Sequence, residues 1–214
     1  MYNPAAFAEN RLDVLHAFIR DHPLGTLVTN GPDGPEATHL PLFLDPDAGG
    51  HCGVLRCHMA RANPHWRRLE QDARVLVIFA GSGHYITPNW YPSKAESGKV
   101  VPTWNYTAVH AAGTARLFED KASLIQHVGE LTDSHEAGFA EPWSVADAPP
   151  DYVEGLTKAI VGIEISVGRI EGKWKLSQNR PAADREGVIA GLDALGSNAS
   201  REMANLMRDR KATR

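Results

Sequence analysis

The sequence predicts a β-rich α+β fold, an antiparallel sheet or barrel with peripheral helices. Three observations carry that expectation. Short apolar, β-branched runs recur along the chain. Turn-forming residues join most of them directly, as antiparallel neighbours require. The tally is roughly seven strands and five helices, without the strict strand–helix alternation of a doubly wound parallel sheet.

Taken in order, Leu12, Leu15, Phe18 and Ile19 stand at helical spacing and place a helix within residues 9–20, which Pro23 closes. Leu24 to Asn30 reads as a strand, Gly31 to Pro35 as a turn, and Glu36 to Leu44 as the returning strand. Pro41 inside that strand points to an edge or a bulge. A turn over Asp45 to Gly50 leads into a buried strand from Val54 to His58 and the stretch from Arg56 to Ala80, around which the rest is organised. It reads as strand, short helix, strand. Asn63 and Pro64 suit the cap and first position of the helix, and Trp66 and Leu69 share its buried face. Arg74 to Ala80 reads as a strand covered on both sides. Arg61, just before the helix start, can grip a phosphate bidentately beside unpaired N–H groups, so the stretch reads as an anion cradle.

Ala80 to Gly83 then reads as a turn into Tyr85 to Thr87, and residues 88–100 as a functional or mobile loop. Val100 to Tyr106 and His110 to Glu119 read as extended, with Gly113 a bulge or a close approach. Asp120 to Ser134 is a helix with Leu124, Ile125, Val128 and Leu131 on one face. A loop over 135–151, a helical turn at Tyr152 to Lys158 and a strand at Ile160 to Ile170 follow. Gly172 to Arg180 reads as a polar exit, and Ala182 to Leu195 and Asn198 to Met207 as closing helices. Residues 1–214 read as one domain with a helical extension from about residue 182.

Composition excludes several classes. The 22 basic residues face 26 acidic ones, so the chain is no uniformly basic nucleic-acid binder. No apolar run has the length of a membrane span, and no secretory leader is legible. Cys52 and Cys57 are the only cysteines, which points to a reducing, cytoplasmic compartment, and their spacing fits no zinc pattern. The ten histidines form no HExxH, and GxSxG, GxGxxG and the P-loop are absent, so no catalytic set and no metal ligands are assigned.

A further reading comes from an ordered set of segments. These are THLPL at Thr38 to Leu42, HMARANPHW at His58 to Trp66, VLVIF at Val75 to Phe79, YITPNWYPSKAESGKVVPTWNY at Tyr85 to Tyr106, WSVADAP at Trp143 to Pro149, and IEGKWKLSQNRPAADREGVIAGL at Ile170 to Leu192. Together they resemble the PaiB-like family of FMN-binding negative transcriptional regulators. Cys57 stands where that family reads Gly, and Ser82 and Gly83 depart from its Pro-His-Ala. The resemblance implies a split β-barrel of the flavin-binding type, a homodimer, and FMN at the subunit interface. It implies Arg61 and Asn63 at the flavin phosphate with His58 as a second donor. It also implies Lys175 and Arg180 at the cofactor edge. Thr26, Thr38 and His39 are candidates for the pyrimidine edge of the ring. Trp104 and Asn105 sit in an aromatic segment of site-like or interface-like composition.

Three functions compete. The first is an FMN-binding repressor. The second is an FMN-dependent oxidoreductase acting on a small molecule or haem. The third is a dimeric accessory protein without flavin. DNA is a partner implied by the family alone, because no helix-turn-helix is legible and the basic tail from Arg208 to Arg214 is short.

Overall fold

The structure is a computed structural model that describes residues 1–210, so the end of the predicted basic tail, Lys211 to Arg214, lies outside the described residues. The strands are β1 (Ala8–Glu9), β2 (Leu24–Gly31), β3 (Gly34–Pro41), β4 (Phe43–Asp45), β5 (Val54–Ala60), β6 (Arg74–Ile86), β7 (Thr103–Phe118) and β8 (Ile160–Lys175). The helices are α1 (Leu12–Asp21), α2 (Trp66–Gln71), α3 (Ser93–Ser97), α4 (Lys121–Glu136), α5 (Pro150–Thr157), α6 (Ala182–Leu195) and α7 (Asn198–Asp209). The strands lie in one sheet in the order β3-β2-β6-β7-β8-β5-β4, with β1 added on β8. β2 pairs antiparallel with β3 and β6, β5 with β4 and β8, and β1 with β8. This open antiparallel sheet with helices is the α+β, split-barrel arrangement that the sequence predicts.

The chain forms two compact units, one of residues 12–79 and 110–170, the other of residues 1–11, 80–109 and 171–214. In the first, larger unit the core is built by alternation along the strands. Leu27, Leu55, Cys57, Met59, Val77, Phe79, Ile163 and Ile165 are buried, and Leu124 and Leu131 of α4 join them. Burial pushes the Cys57 thiol up to about 12, so it packs as a small hydrophobe. Leu76 and Ile78 of β6 are only half-buried, which corrects the reading of a strand covered on both sides. Gly113 is a close approach: a Cβ there would run into the Ser166 carbonyl. Helix α4 begins as predicted, with the Asp120 carboxylate accepting from the Ser123 N–H at 2.9 Å. Its third buried side chain is His127, where the apolar pattern points to Val128.

The short helix of the central stretch differs from expectation. α2 starts at Trp66, after His65, and makes no side-chain cap. Asn63 instead accepts from the His65 N–H at 3.0 Å, a local turn ahead of the helix. The shared burial of Trp66 and Leu69 holds.

Beyond the first unit, an apparent turn and an apparent exit prove to be strand, and two extended runs prove to be one. β6 runs through Gly81, Ser82 and Gly83, β7 is continuous from Thr103, and β8 extends to Lys175. Ladder pairing outweighs the weak local preference of such residues. The segment after β6 is anchored. It carries a 3₁₀ turn at Pro88–Trp90, and Asp184 of α6 accepts from the Ser93 N–H at 3.1 Å and its hydroxyl at 2.7 Å. Gly187 and Gly191 lie one turn apart on α6, and a Cβ at either would strike the Trp90 carbonyl or ring. Buried Glu9 is held by Arg11 at 2.8 Å and by Arg210. The Arg11 hydrogen bond is the main reason its carboxyl falls to about 2.

Candidate functional site

The larger unit gathers hydroxyls and imidazoles at β2, β3 and the approach to α2. His65 is fully buried, with Nε2 2.7 Å from the Thr29 hydroxyl and Nδ1 2.7 Å from the Thr38 hydroxyl. Burial lowers its pKa, and a neutral ring gives one threonine a donor and the other an acceptor. The Asn63 amide reaches Thr38 at 3.5 Å. Thr26 and His39, register partners across β2 and β3, meet at 2.9 Å on the exposed side. The predicted residues thus fall on two faces of the β2–β3 ladder, Thr26 with His39 on the exposed one and Thr38 with Asn63 on the other. There His65, which the sequence reading passed over, joins Thr38 to Thr29. Its place within the HMARANPHW segment was the available signal.

Arg61 and His58 are placed differently from the anion-cradle reading. The Arg61 guanidinium bonds Glu119 at 2.5 Å and the carbonyls of Lys158 and Ile160 at 3.1 Å each. It is therefore committed within the chain, and the six-residue helix beyond it has no side-chain cap. His58 Nδ1 lies 3.1 Å from His127 Nε2 on α4. Burial lowers both pKa values, His127 to about 4, with His58 and Arg56 adding to the effect on His127.

The smaller unit presents a different chemistry. Lys173 and Lys175 are two residues apart on β8, and Arg180 follows shortly after. Lys173, only 8% exposed, donates to the Tyr2 carbonyl at 2.9 Å and lies over the rings of Tyr2 and Tyr106. Lys175 donates to the Thr103 hydroxyl and to the Trp104 carbonyl at 2.7 Å. Arg180 lies over Tyr91. Burial, then the charges of Lys173 and Arg180, lower the Lys175 pKa. Among the described residues no carboxylate pairs with any of them. In the larger unit, by contrast, Arg56, Arg61, Arg68, Arg74 and Arg116 each have a carboxylate partner. Trp104 is 56% exposed and sits edge-on to Tyr85 at 6.2 Å. Asn105 is buried and accepts from Ser177 at 3.1 Å, which places it in the packing below this surface. Among the described residues no three His, Cys, Asp or Glu side chains group as metal ligands.

Residues 1–169 match the family described as "Putative FMN-binding domain". The chain belongs to that family. Within it, the chain is similar to the Bacillus subtilis protease synthase and sporulation protein PAI 2, 35% identical over 210 residues and covering 98% of each chain. It is also 40% identical to uncharacterized protein AN0679 of Emericella nidulans, over 98% of this chain and 97% of that one. The PaiB-like resemblance therefore stands. Among solved structures, the flavocytochrome Anf3 of Azotobacter vinelandii superposes with a TM-score of 0.58 at 16% identity, over 78% of this chain and 69% of that one. The FAD and heme binding protein of Mycobacterium smegmatis gives 0.57 at 18% identity, over 78% and 73%. At that identity the two structures speak for the fold, and the family match names FMN as the cofactor. The donor set suits it: uncompensated cations suit a phosphate or the electron-rich edge of a flavin, and an exposed aromatic pair suits its ring.

Proposed function

We propose that this protein is a cytoplasmic FMN-binding homodimer that acts in gene regulation, and that Lys175 and Arg180 hold the anionic part of the flavin. One observation supports this most: Lys173, Lys175 and Arg180, the first of them buried, have no carboxylate partner among the described residues, and the charges of the other two act on Lys175. A buried charge needs a counter-charge, and a ligand phosphate supplies it. Bound FMN brings its own redox chemistry, while the chain binds and orients it. Trp104 offers a surface for the ring or for a second copy of the chain. Thr26 and His39 on one face of β2 and β3, or Thr38 and Asn63 on the other, supply hydroxyl, imidazole and amide groups able to meet a ring edge. The regulatory role rests on similarity to PAI 2, a relative named for protease synthesis and sporulation.

Arg61, with His58 beside it, is the competing phosphate holder, favoured by the family resemblance. Purified protein, reconstituted with FMN and separately with riboflavin, decides between the two. Lys175→Met is expected to weaken FMN by about ten- to a hundredfold, the worth of a charge-assisted phosphate contact, and to leave riboflavin unchanged. If Arg61→Ala has that effect and Lys175→Met does not, the phosphate belongs with Arg61. If neither flavin binds and none is extracted from purified protein, the FMN reading is wrong. Turnover of NAD(P)H by the flavin-loaded protein would favour the oxidoreductase over the regulator.

A further inference from the structure

Fully buried His65 stands between two threonine hydroxyls, and Asn63 fixes the direction of its hydrogen bonds. The Asn63 Oδ1 accepts from the His65 backbone N–H at 3.0 Å, so Nδ2 is the atom that faces Thr38. That contact is long, 3.5 Å, but its sense is set, because an amide nitrogen only donates. The Thr38 hydroxyl therefore turns a lone pair to Asn63 and its single proton away. The acceptor in reach is His65 Nδ1 at 2.7 Å. With Nδ1 accepting, the neutral ring carries its proton on Nε2 and donates it to the Thr29 hydroxyl, also at 2.7 Å. Burial lowers the His65 pKa, against the charge of Glu36 and with that of Arg68, which keeps the ring neutral at neutral pH.

This chain of bonds ends in an ordered pattern where it nears solvent. Thr38 and Asn63 are both half-buried. A hydroxyl has one proton and two lone pairs. The Thr38 proton goes to His65 and one lone pair faces Asn63, so one lone pair is left for a ligand. The second Asn63 Nδ2 proton has no acceptor among the described residues. The pair thus offers one acceptor beside one donor. Thr26 and His39, on the other face, carry no such order: their contact is exposed, and in water each can donate or accept.

We propose that His65 is a positioning residue: by taking the Thr38 proton it makes the Thr38–Asn63 edge select a ligand that presents an N–H beside a carbonyl. In a flavin that pattern is N3–H and the carbonyl next to it, on the pyrimidine edge. The assignment rests on the FMN reading above, and it gives the ring edge to Thr38 and Asn63 rather than to Thr26 and His39. A ring with no proton at that position leaves the Thr38 lone pair without a donor, which a half-buried site penalises.

Two measurements on the full chain test it. In flavin-free protein, a long-range proton–nitrogen NMR correlation reports the His65 tautomer, and the proton is expected on Nε2. A proton on Nδ1 would mean that Thr38 keeps its own for a ligand, which overturns the proposal. The second measurement compares riboflavin with N3-methylriboflavin, neither of which carries the phosphate. The wild-type chain should bind riboflavin about tenfold or more tightly than the methylated form. Thr38→Val should abolish that preference, and Thr38→Ser should keep it. His65→Phe frees the Thr38 proton and should narrow the preference while Thr38 is still present. Where His65→Phe fails to fold, the tautomer and the Thr38 pair decide. Equal binding of the two flavins by the wild-type chain, or an unchanged preference in Thr38→Val or in folded His65→Phe, overturns the proposal and leaves the FMN reading standing. If the wild-type chain binds no flavin at all, the FMN reading fails and this assignment fails with it.

Discussion

His58 and His127 set a pH response at the scale of single residues. Their facing nitrogens admit one proton between them, and His127 Nδ1 is buried without a partner, so the pair is stable only while neutral. Because the His127 pKa falls from 6.5 to about 4, the unfolded chain takes up protons first as pH drops. Stability is therefore full above 6.5, declines between 6.5 and 4, and loses about 3 kcal/mol over that window. Urea midpoints measured across pH 4 to 7 should show this slope, and His127→Gln should flatten it. Glu9, lowered from 4.5 to about 2, loses its contribution as pH falls from 4.5 to about 2, so the two effects overlap only near pH 4 to 4.5. A second test concerns His65. Thr29→Val removes the partner of Nε2 inside the core and is expected to cost about 1–3 kcal/mol in chemical denaturation. An unchanged midpoint would mean that the ring finds another partner.

Helix α6 shows what a glycine spacing does at the scale of an element. Gly187 and Gly191 admit Trp90 against the helix backbone, and Asp184 on the same helix pins Ser93. The 88–100 segment therefore reads as a loop in sequence and yet is held by a helix almost a hundred residues later. Gly191→Val should push Trp90 off, destabilise by about 1–3 kcal/mol and shift tryptophan emission. Gly155 of α5 is the control, because a Cβ there meets nothing within 4 Å. Gly155→Ala should gain about 0.5–1 kcal/mol from helix propensity alone. A loss on Gly155→Ala would show that α5 needs its glycine for something beyond helix packing.

For the whole molecule, charge governs the question of DNA. Non-specific affinity comes from cations that neutralise phosphates and release counterions, and here 22 basic residues face 26 acidic ones. Many of the arginines are already paired with carboxylates. Titration against labelled duplexes at about 0.15 M salt should give weak, unspecific binding. Nanomolar binding to one promoter in the presence of competitor would show that assembly creates a basic surface absent from the single chain. Sedimentation at micromolar concentration should return a dimer, and Trp104→Glu, at an exposed aromatic of the smaller unit, should shift it towards monomer.

Secondary structure was legible wherever periodicity and caps agree. α1, α4, α6 and α7 fall close to their predicted positions, because each presents an apolar stripe bounded by a capping or breaking residue. The family was legible too, since its motifs are short local strings. Strand ends were not, because Gly81 to Gly83 or Gly172 look like turns until a neighbouring strand supplies the hydrogen bonds that hold them extended. Candidate residues could be nominated by type, but partnership belongs to tertiary structure. Arg61 and Lys175 look equally free in sequence, yet folding brings Glu119 to the first and only neutral oxygens and other cations to the second. The physical reason is that charge compensation depends on distances between residues far apart along the chain, and only the fold sets those distances.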